Sequence, residues 1–186
     1  RVYCLNGEDG STLWTFTPSP DDLNFTSPSL GDIDGDGKLE IVFGSYYAKV
    51  YAINAENGTP LWVYTVNEGF PTFYSVTSTP AIRDVDTDGL PDVIVPSYSG
   101  GIHLLKGTNG SLINSCSLGG KVMKSSPAFG EINWQGGWDV VVGGFDDNTN
   151  IYMVSVTGTC PVVETYTTGG GIQSSPSLLN IDADSA

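Results

Sequence analysis

The stretch GDIDGDGKLEIVFGS, residues 31–45, sets Asp32, Asp34 and Asp36 on alternate positions and adds Glu40 four residues later. Carboxylates this close repel one another by roughly 1 kcal/mol in water and by several times that near a protein surface. A bound cation removes the repulsion. The donors are all hard oxygens, which suits Ca²⁺, a cation that takes 6–8 oxygens at about 2.3–2.6 Å. Alternate carboxylates in a tight loop turn inward together, the Lys38 carbonyl adds a fifth oxygen while its ammonium points away, and Gly37 permits the turn. RDVDTDGLPDVIV, residues 83–95, repeats the set as Asp84, Asp86, Asp88 and Asp92, with the Leu90 carbonyl and Gly89 in the corresponding roles. A third copy, GEINWQGGWDVVVGG, keeps Glu131 and Asp139 but has neutral Asn133 and Gln135 between them. Affinity falls as carboxylate ligands are lost, so this copy is a weaker metal candidate. A fourth, LNIDADSA, offers Asn180, Asp182 and Asp184 and ends before its ninth position. An EF-hand needs a bidentate Glu at loop position twelve. Phe43 and Val95 stand there, inside apolar runs, so that reading is rejected.

The elements that carry these loops repeat. The loop heads Asp32, Asp84, Glu131 and Asn180 are 52, 47 and 49 residues apart. A second phrase keeps the same beat: VYCLNGEDGSTLW from Val2, VYAINAENGTPLW from Val50, IHLLKGTNGSLIN from Ile102 and a worn IYMVSVTGTCPVV from Ile151. A period of roughly 40–50 residues with several strands in each unit points to propeller blades. The unit from Thr26 reads as four strands: TSPSLGDI, then EIVFGS after the acidic loop, KVYAINAE and PLWVYTV. Asn57-Gly58 predicts a tight hairpin with positive φ at both central residues. No segment has helical periodicity. The expected fold is all-β, with blades of four antiparallel strands: about three whole blades and two partial ones. Repeat bounds fall near 1–20, 21–70, 71–120, 121–170 and 171–186. Closure typically needs 4 to 8 blades, so the remaining blades of a longer chain are expected.

DIDGDGKLE and DVDTDGLPD resemble the calcium loop of FG-GAP (VCBS) repeats, the blades of the integrin α-subunit propeller. SPSLGDI, TPAIRDV, SPAFGEI and SPSLLNI resemble the strand before that loop. The resemblance implies structural Ca²⁺ and a binding, adhesion or recognition role at a cell surface or outside the cell. It also admits the propeller of a secreted polysaccharide-active enzyme such as a lyase, or a purely structural filament module. LNGEDGSTLW and INAENGTPLW resemble the outer-strand tryptophan motif of quinoprotein (PQQ-type) propellers. That resemblance implies that Trp14 and Trp62 dock neighbouring blades. It does not imply the quinone, because the adjacent-cysteine disulfide of that family is absent here.

Composition narrows the partners. Net charge is −14, from 21 acids against seven Lys and Arg, too few cations to assemble a nucleic-acid or anionic-membrane patch. No apolar run approaches a membrane span. The chain opens at Arg1 in strand-like sequence, as a mature or excised segment would. Cys4, Cys116 and Cys160 match no metal spacing or redox pair and are expected to be buried or free thiols. His103, the single histidine, shares the register of Tyr3, Tyr51 and Tyr152 and is expected on a strand surface in place of tyrosine. No catalytic constellation is legible. Sequons at Asn24, Asn57 and Asn109 would be glycan acceptors in a eukaryotic secretory setting. Away from the acidic loops, Tyr46, Tyr47, Tyr98 and Phe145, with Phe70, Phe73 and Tyr74 in the link GFPTFYS, form an aromatic set. Such residues suit a protein or carbohydrate ligand, because they bury area at low entropy cost.

Overall fold

A computed structural model describes residues 1–18, 22, 26–67, 76–119, 123–132, 137–145, 149–156 and 158–178. Asn24, Phe70, Phe73, Tyr74, Asn133, Gln135, Asn180, Asp182 and Asp184 lie outside the described residues.

Strands β1 (Val2–Leu5) and β2 (Thr12–Phe16) form a two-stranded sheet. Blade one is β3 (Ser29–Gly31), β4 (Glu40–Gly44), β5 (Lys49–Asn54) and β6 (Pro60–Thr65), paired antiparallel in chain order. Blade two is β7 (Ala81–Arg83), β8 (Asp92–Pro96), β9 (Gly101–Leu105) and β10 (Leu112–Ser117). Blade three is β11 (Ala128–Gly130), β12 (Asp139–Gly143), β13 (Asn150–Ser155) and β14 (Val162–Thr167). Blades two and three keep the same pairing order. Each blade is a β-propeller blade, and no helix occurs among the described residues.

The middle strands read as apolar runs because both faces are covered. In β8 and β9 every residue is buried. One apolar cluster joins Val42, Val50 and Trp62 of blade one to Val93, Val95 and Leu105 of blade two. Another joins Ile94, Ile102 and Leu104 to Val140, Tyr152 and Val154 of blade three. Blade-on-blade packing is therefore the core.

Two devices set the seams. Trp14 Nε1 donates to the Ala55 carbonyl of blade one at 2.9 Å, and Trp62 Nε1 to the Gly107 carbonyl of blade two at 2.6 Å. The rings lie on Gly58 and Gly110, where a Cβ would come within 2.6 and 2.7 Å of the indole. The docking role expected of both tryptophans holds. On the first strands, Thr79 N donates to Ser126 Oγ at 2.9 Å and Ser126 N to Ser175 Oγ at 3.2 Å, which links successive Ser/Thr-Pro phrases across blades.

Three expectations need correction. The β5–β6 link is longer than a two-residue turn. It runs from Ala55 to Thr59, is closed by Gly58 N donating to Asn54 O, and has positive φ at Gly58 alone. His103 is buried, because blade one covers its face of β9 and brings the Tyr64 hydroxyl within 3.3 Å of Nδ1. Cys116 and Cys160 form a disulfide across 44 residues of sequence; only Cys4 is a free thiol.

Candidate metal loops

Each acidic loop joins the first two strands of its blade. In the first, Asp32 accepts from Gly35 N at 2.8 Å and Gly37 N at 3.0 Å, and Asp34 and Asp36 accept from the amides two residues on. These bonds aim one oxygen of each aspartate inward, and oxygens of Asp32, Asp34 and Asp36 lie within 4.8 Å of one another. The Lys38 ammonium points away, to Glu56 at 2.7 Å.

Glu40 closes the loop from below. Its Oε2 accepts the Ile33 amide at 3.0 Å, and its Oε1 is buried with no hydrogen-bond partner. Burial raises the Glu40 carboxyl above the usual range, against the pull of the Ile33 amide and with the charges of Asp34, Asp36 and Asp32 adding to it. Leaving a buried carboxylate oxygen unpaired is costly. A divalent cation held by Asp32, Asp34 and Asp36 would remove their mutual repulsion, so these three donors fit the ion; Glu40, unlike Asp92 in the second loop, stands outside the converged group, with its orphaned oxygen buried at the base of the same loop.

The second loop copies the frame and changes the charge. Asp84 accepts from Thr87 N and Gly89 N at 2.7 and 3.0 Å, and the buried Asp92 accepts from Val85 N at 3.1 Å. Oxygens of Asp84, Asp86 and Asp92 converge within 4.8 Å. Asp88 is drawn aside: the Lys106 ammonium ion-pairs with both Asp86 and Asp88. Its hydrogen bond holds the Asp88 carboxyl below the usual range, while burial pushes Asp92 up. Lys106 was not among the expected site residues. The signal was present, since lysine stands there in the register of Asn6 and Asn54.

In the third loop, buried Asp139 accepts from Ile132 N at 2.9 Å. The ninth-position acid thus caps its loop in all three blades, including the one with the fewest charges. Glu131 is exposed, and among the described residues no acidic cluster forms around it.

The β4–β5, β8–β9 and β12–β13 turns lie at the opposite end of the blades. Tyr46 and Tyr47 are 38% and 49% exposed and meet edge to face at 5.6 Å. Tyr98 and Phe145 are half-buried, brought together by the Lys124 ammonium at 5.7 and 3.8 Å from their rings. Nearby, a residue that sequence reasoning missed anchors the entry to blade one. Buried Asp22 accepts from Tyr51 Oη, from Ser45 Oγ at 2.9 Å and from Lys49 Nζ at 3.1 Å.

With this geometry in view, the sequence profile described as "FG-GAP-like repeat" matches residues 32–95, the two full acidic loops and the strands between them. No curated sequence matches the chain significantly. Solved structures share the fold. BamB from Moraxella catarrhalis is 22% identical with a TM-score of 0.55, over 85% of this chain and 40% of that one. The C-terminal domain of PilY1 from Pseudomonas aeruginosa is 16% identical with a TM-score of 0.54, over 84% and 40%. The V. cholerae biofilm matrix protein Bap1 is 18% identical with a TM-score of 0.58, over 82% and 27%. The chain thus spans well under half the length of each.

Proposed function

We propose that this FG-GAP-like segment is a calcium-stabilised, extracytoplasmic propeller module that binds a protein or carbohydrate ligand. The observation that carries the calcium reading is the convergence of Asp32, Asp34 and Asp36, in a loop whose ninth-position acid, Glu40, keeps a buried, unpartnered Oε1. The ion would be held there and, more weakly, by Asp84, Asp86, Asp88 and Asp92, with the Lys38 and Leu90 carbonyls in support. It would supply positive charge that locks each loop between its strands; no reaction step is assigned to it. An extracytoplasmic site is supported by the Cys116–Cys160 disulfide, since such bonds persist in oxidising compartments. A biofilm matrix protein among the structures that share the fold points the same way. The ligand face is assigned to the end away from the acidic loops, on the exposed Tyr46–Tyr47 pair.

The test is thermal unfolding with calcium and with chelator. Binding to the folded state alone stabilises by RT ln(1+[L]/Kd), about 1–3 kcal/mol at ten to a hundred times Kd. Calcium should raise the melting temperature, chelation should lower it, and Asp34→Ala should remove most of the first loop's share. A melting curve indifferent to both treatments would overturn the proposal. Tyr47→Ala should weaken capture on a glycan or surface-protein array without changing calcium affinity.

A further inference from the structure

The seam between blades two and three is built differently from the two before it. Asn114 stands where the other blades place Trp14 and Trp62: it pairs with Leu104 as Trp62 pairs with Ala52 and Trp14 with Cys4. Its side chain keeps the tryptophan's hydrogen bond, with Nδ2 donating to the Val156 carbonyl at 3.2 Å, but brings no ring. The matching glycine is gone as well. Cys160 stands two residues ahead of β14, as Gly58 does ahead of β6 and Gly110 ahead of β10, and takes a positive φ of 56°, against 71° and 69° at the two glycines. A Cβ at Gly58 or Gly110 would strike an indole. Here there is none to strike, and Cys160 is bonded to Cys116 instead. A covalent tie has replaced the aromatic plug.

The loop end of the seam has also lost bulk. Between the first two blades the Leu90 side chain packs on Gly35, where a Cβ would meet it at 2.7 Å. Gly137, two residues before the ninth-position acid, stands in the register of Leu90. Beside these positions lies a cleft of about 700 Å³. Its walls are apolar, from Leu104, Ile113, Val156 and Trp138, and Asp86 and Glu131 stand at the acidic-loop side. Among the described residues no lysine or arginine lines it. Trp138 already meets one cation, the Arg83 guanidinium, 4.3 Å from its ring centre.

We infer that this cleft binds a flat aromatic group carrying a positive charge, an aryl-alkylamine of about indole size. The ring would lie beside Asn114, against Leu104, Ile113, Val156 and Trp138, and the ammonium would face Glu131. A volume of this size is ordinary for small-molecule sites, as are apolar walls with few polar groups. The disulfide keeps the blades together while the cleft beside Asn114 stays open.

The probe is tryptamine, titrated into the oxidised, calcium-loaded chain and followed by amide NMR, with indole-3-acetate as the charge-reversed control. Saturable shifts are expected at the Asn114 side-chain amide and at the Val156 and Gly158 backbone amides. Attraction for one probe and repulsion of the other give a preference for tryptamine of about tenfold. Asn114→Trp should fill the cleft and abolish the shifts. The Cβ of Cys160 crowds that variant, so Glu131→Lys, an exposed change, provides a second arm and should reverse the preference. Absence of saturation, shifts centred elsewhere, shifts that survive in a folded Asn114→Trp protein, or a preference unchanged in Glu131→Lys would each overturn the inference.

Discussion

At the scale of single residues, the two acidic loops share a frame and differ in one cation. Lys106 is tethered against Asp86 and Asp88, whereas Asn54 occupies that register in blade one. A tethered ammonium competes with a free ion for the same oxygens. The second loop should therefore bind Ca²⁺ more weakly than the first, and Lys106→Met should strengthen it by about tenfold or more, since near-surface charge pairs are worth on the order of 1–4 kcal/mol. Calorimetry on an Asp34→Ala background isolates that loop; an unchanged affinity would refute the competition. Asp22 gives a pH test. Burial alone would raise its carboxyl, but hydrogen bonds from Tyr51, Lys49 and Ser45 hold it below the usual range. A depressed folded-state value means stability that is present above the unfolded value of about 3.9 and lost as pH falls through the folded one. Asp22→Asn should cost about 1–2 kcal/mol at pH 7. Urea midpoints should show that gap closing below about pH 3.9.

At the scale of elements, the blades are held at their seams by unlike means. The seam of blades one and two relies on the Trp62 indole, buried and hydrogen-bonded to Gly107. Trp62→Ala should cost about 3–5 kcal/mol, because the rigid sheets cannot collapse into the space. The seam of blades two and three relies on Cys116–Cys160, which closes a span of 44 residues and contributes about 4 kcal/mol by chain-entropy reasoning. Reduction should lower the urea midpoint and leave that of Cys116→Ala/Cys160→Ala untouched. It should also release blade three first, where every residue of β14 is exposed, and hydrogen exchange strand by strand would register that order. Uniform loss of protection across all blades would contradict independent seams.

At the scale of the whole molecule, the described sheets stack in a row and both flanks are apolar. Tyr3, Leu5 and Leu13 are 54%, 55% and 61% exposed on the first sheet, and Tyr166 is 69% exposed on β14. Flanks of this kind are surfaces for a further blade or another copy. The 186-residue chain on its own should therefore associate reversibly with concentration, and Leu13→Asp with Tyr166→Asp should shift it to monomer in sedimentation velocity. Concentration-independent sedimentation of the unaltered chain would count against this.

What the sequence determined by itself was whatever repeats. Two phrases on one beat gave the blades, their four strands and the acidic loops, because a blade is a local unit whose turns and strand periods are written in consecutive residues. The inward turn of Asp32, Asp34 and Asp36 was legible for the same reason: amides two to five residues along the chain orient them. The docking of Trp14 and Trp62 was legible through a motif. Only the tertiary structure decided what happens between blades. It joined Cys116 to Cys160 and buried His103 under Tyr64. It set Lys106 on the second loop, Asp22 on Tyr51, and opened the cleft where Asn114 departs from tryptophan. Each of these depends on residues 18 to 44 positions apart, or on a seam whose spacing no single repeat specifies. The departures from the repeat were visible in the sequence, but their meaning waited on which face of which neighbour they met.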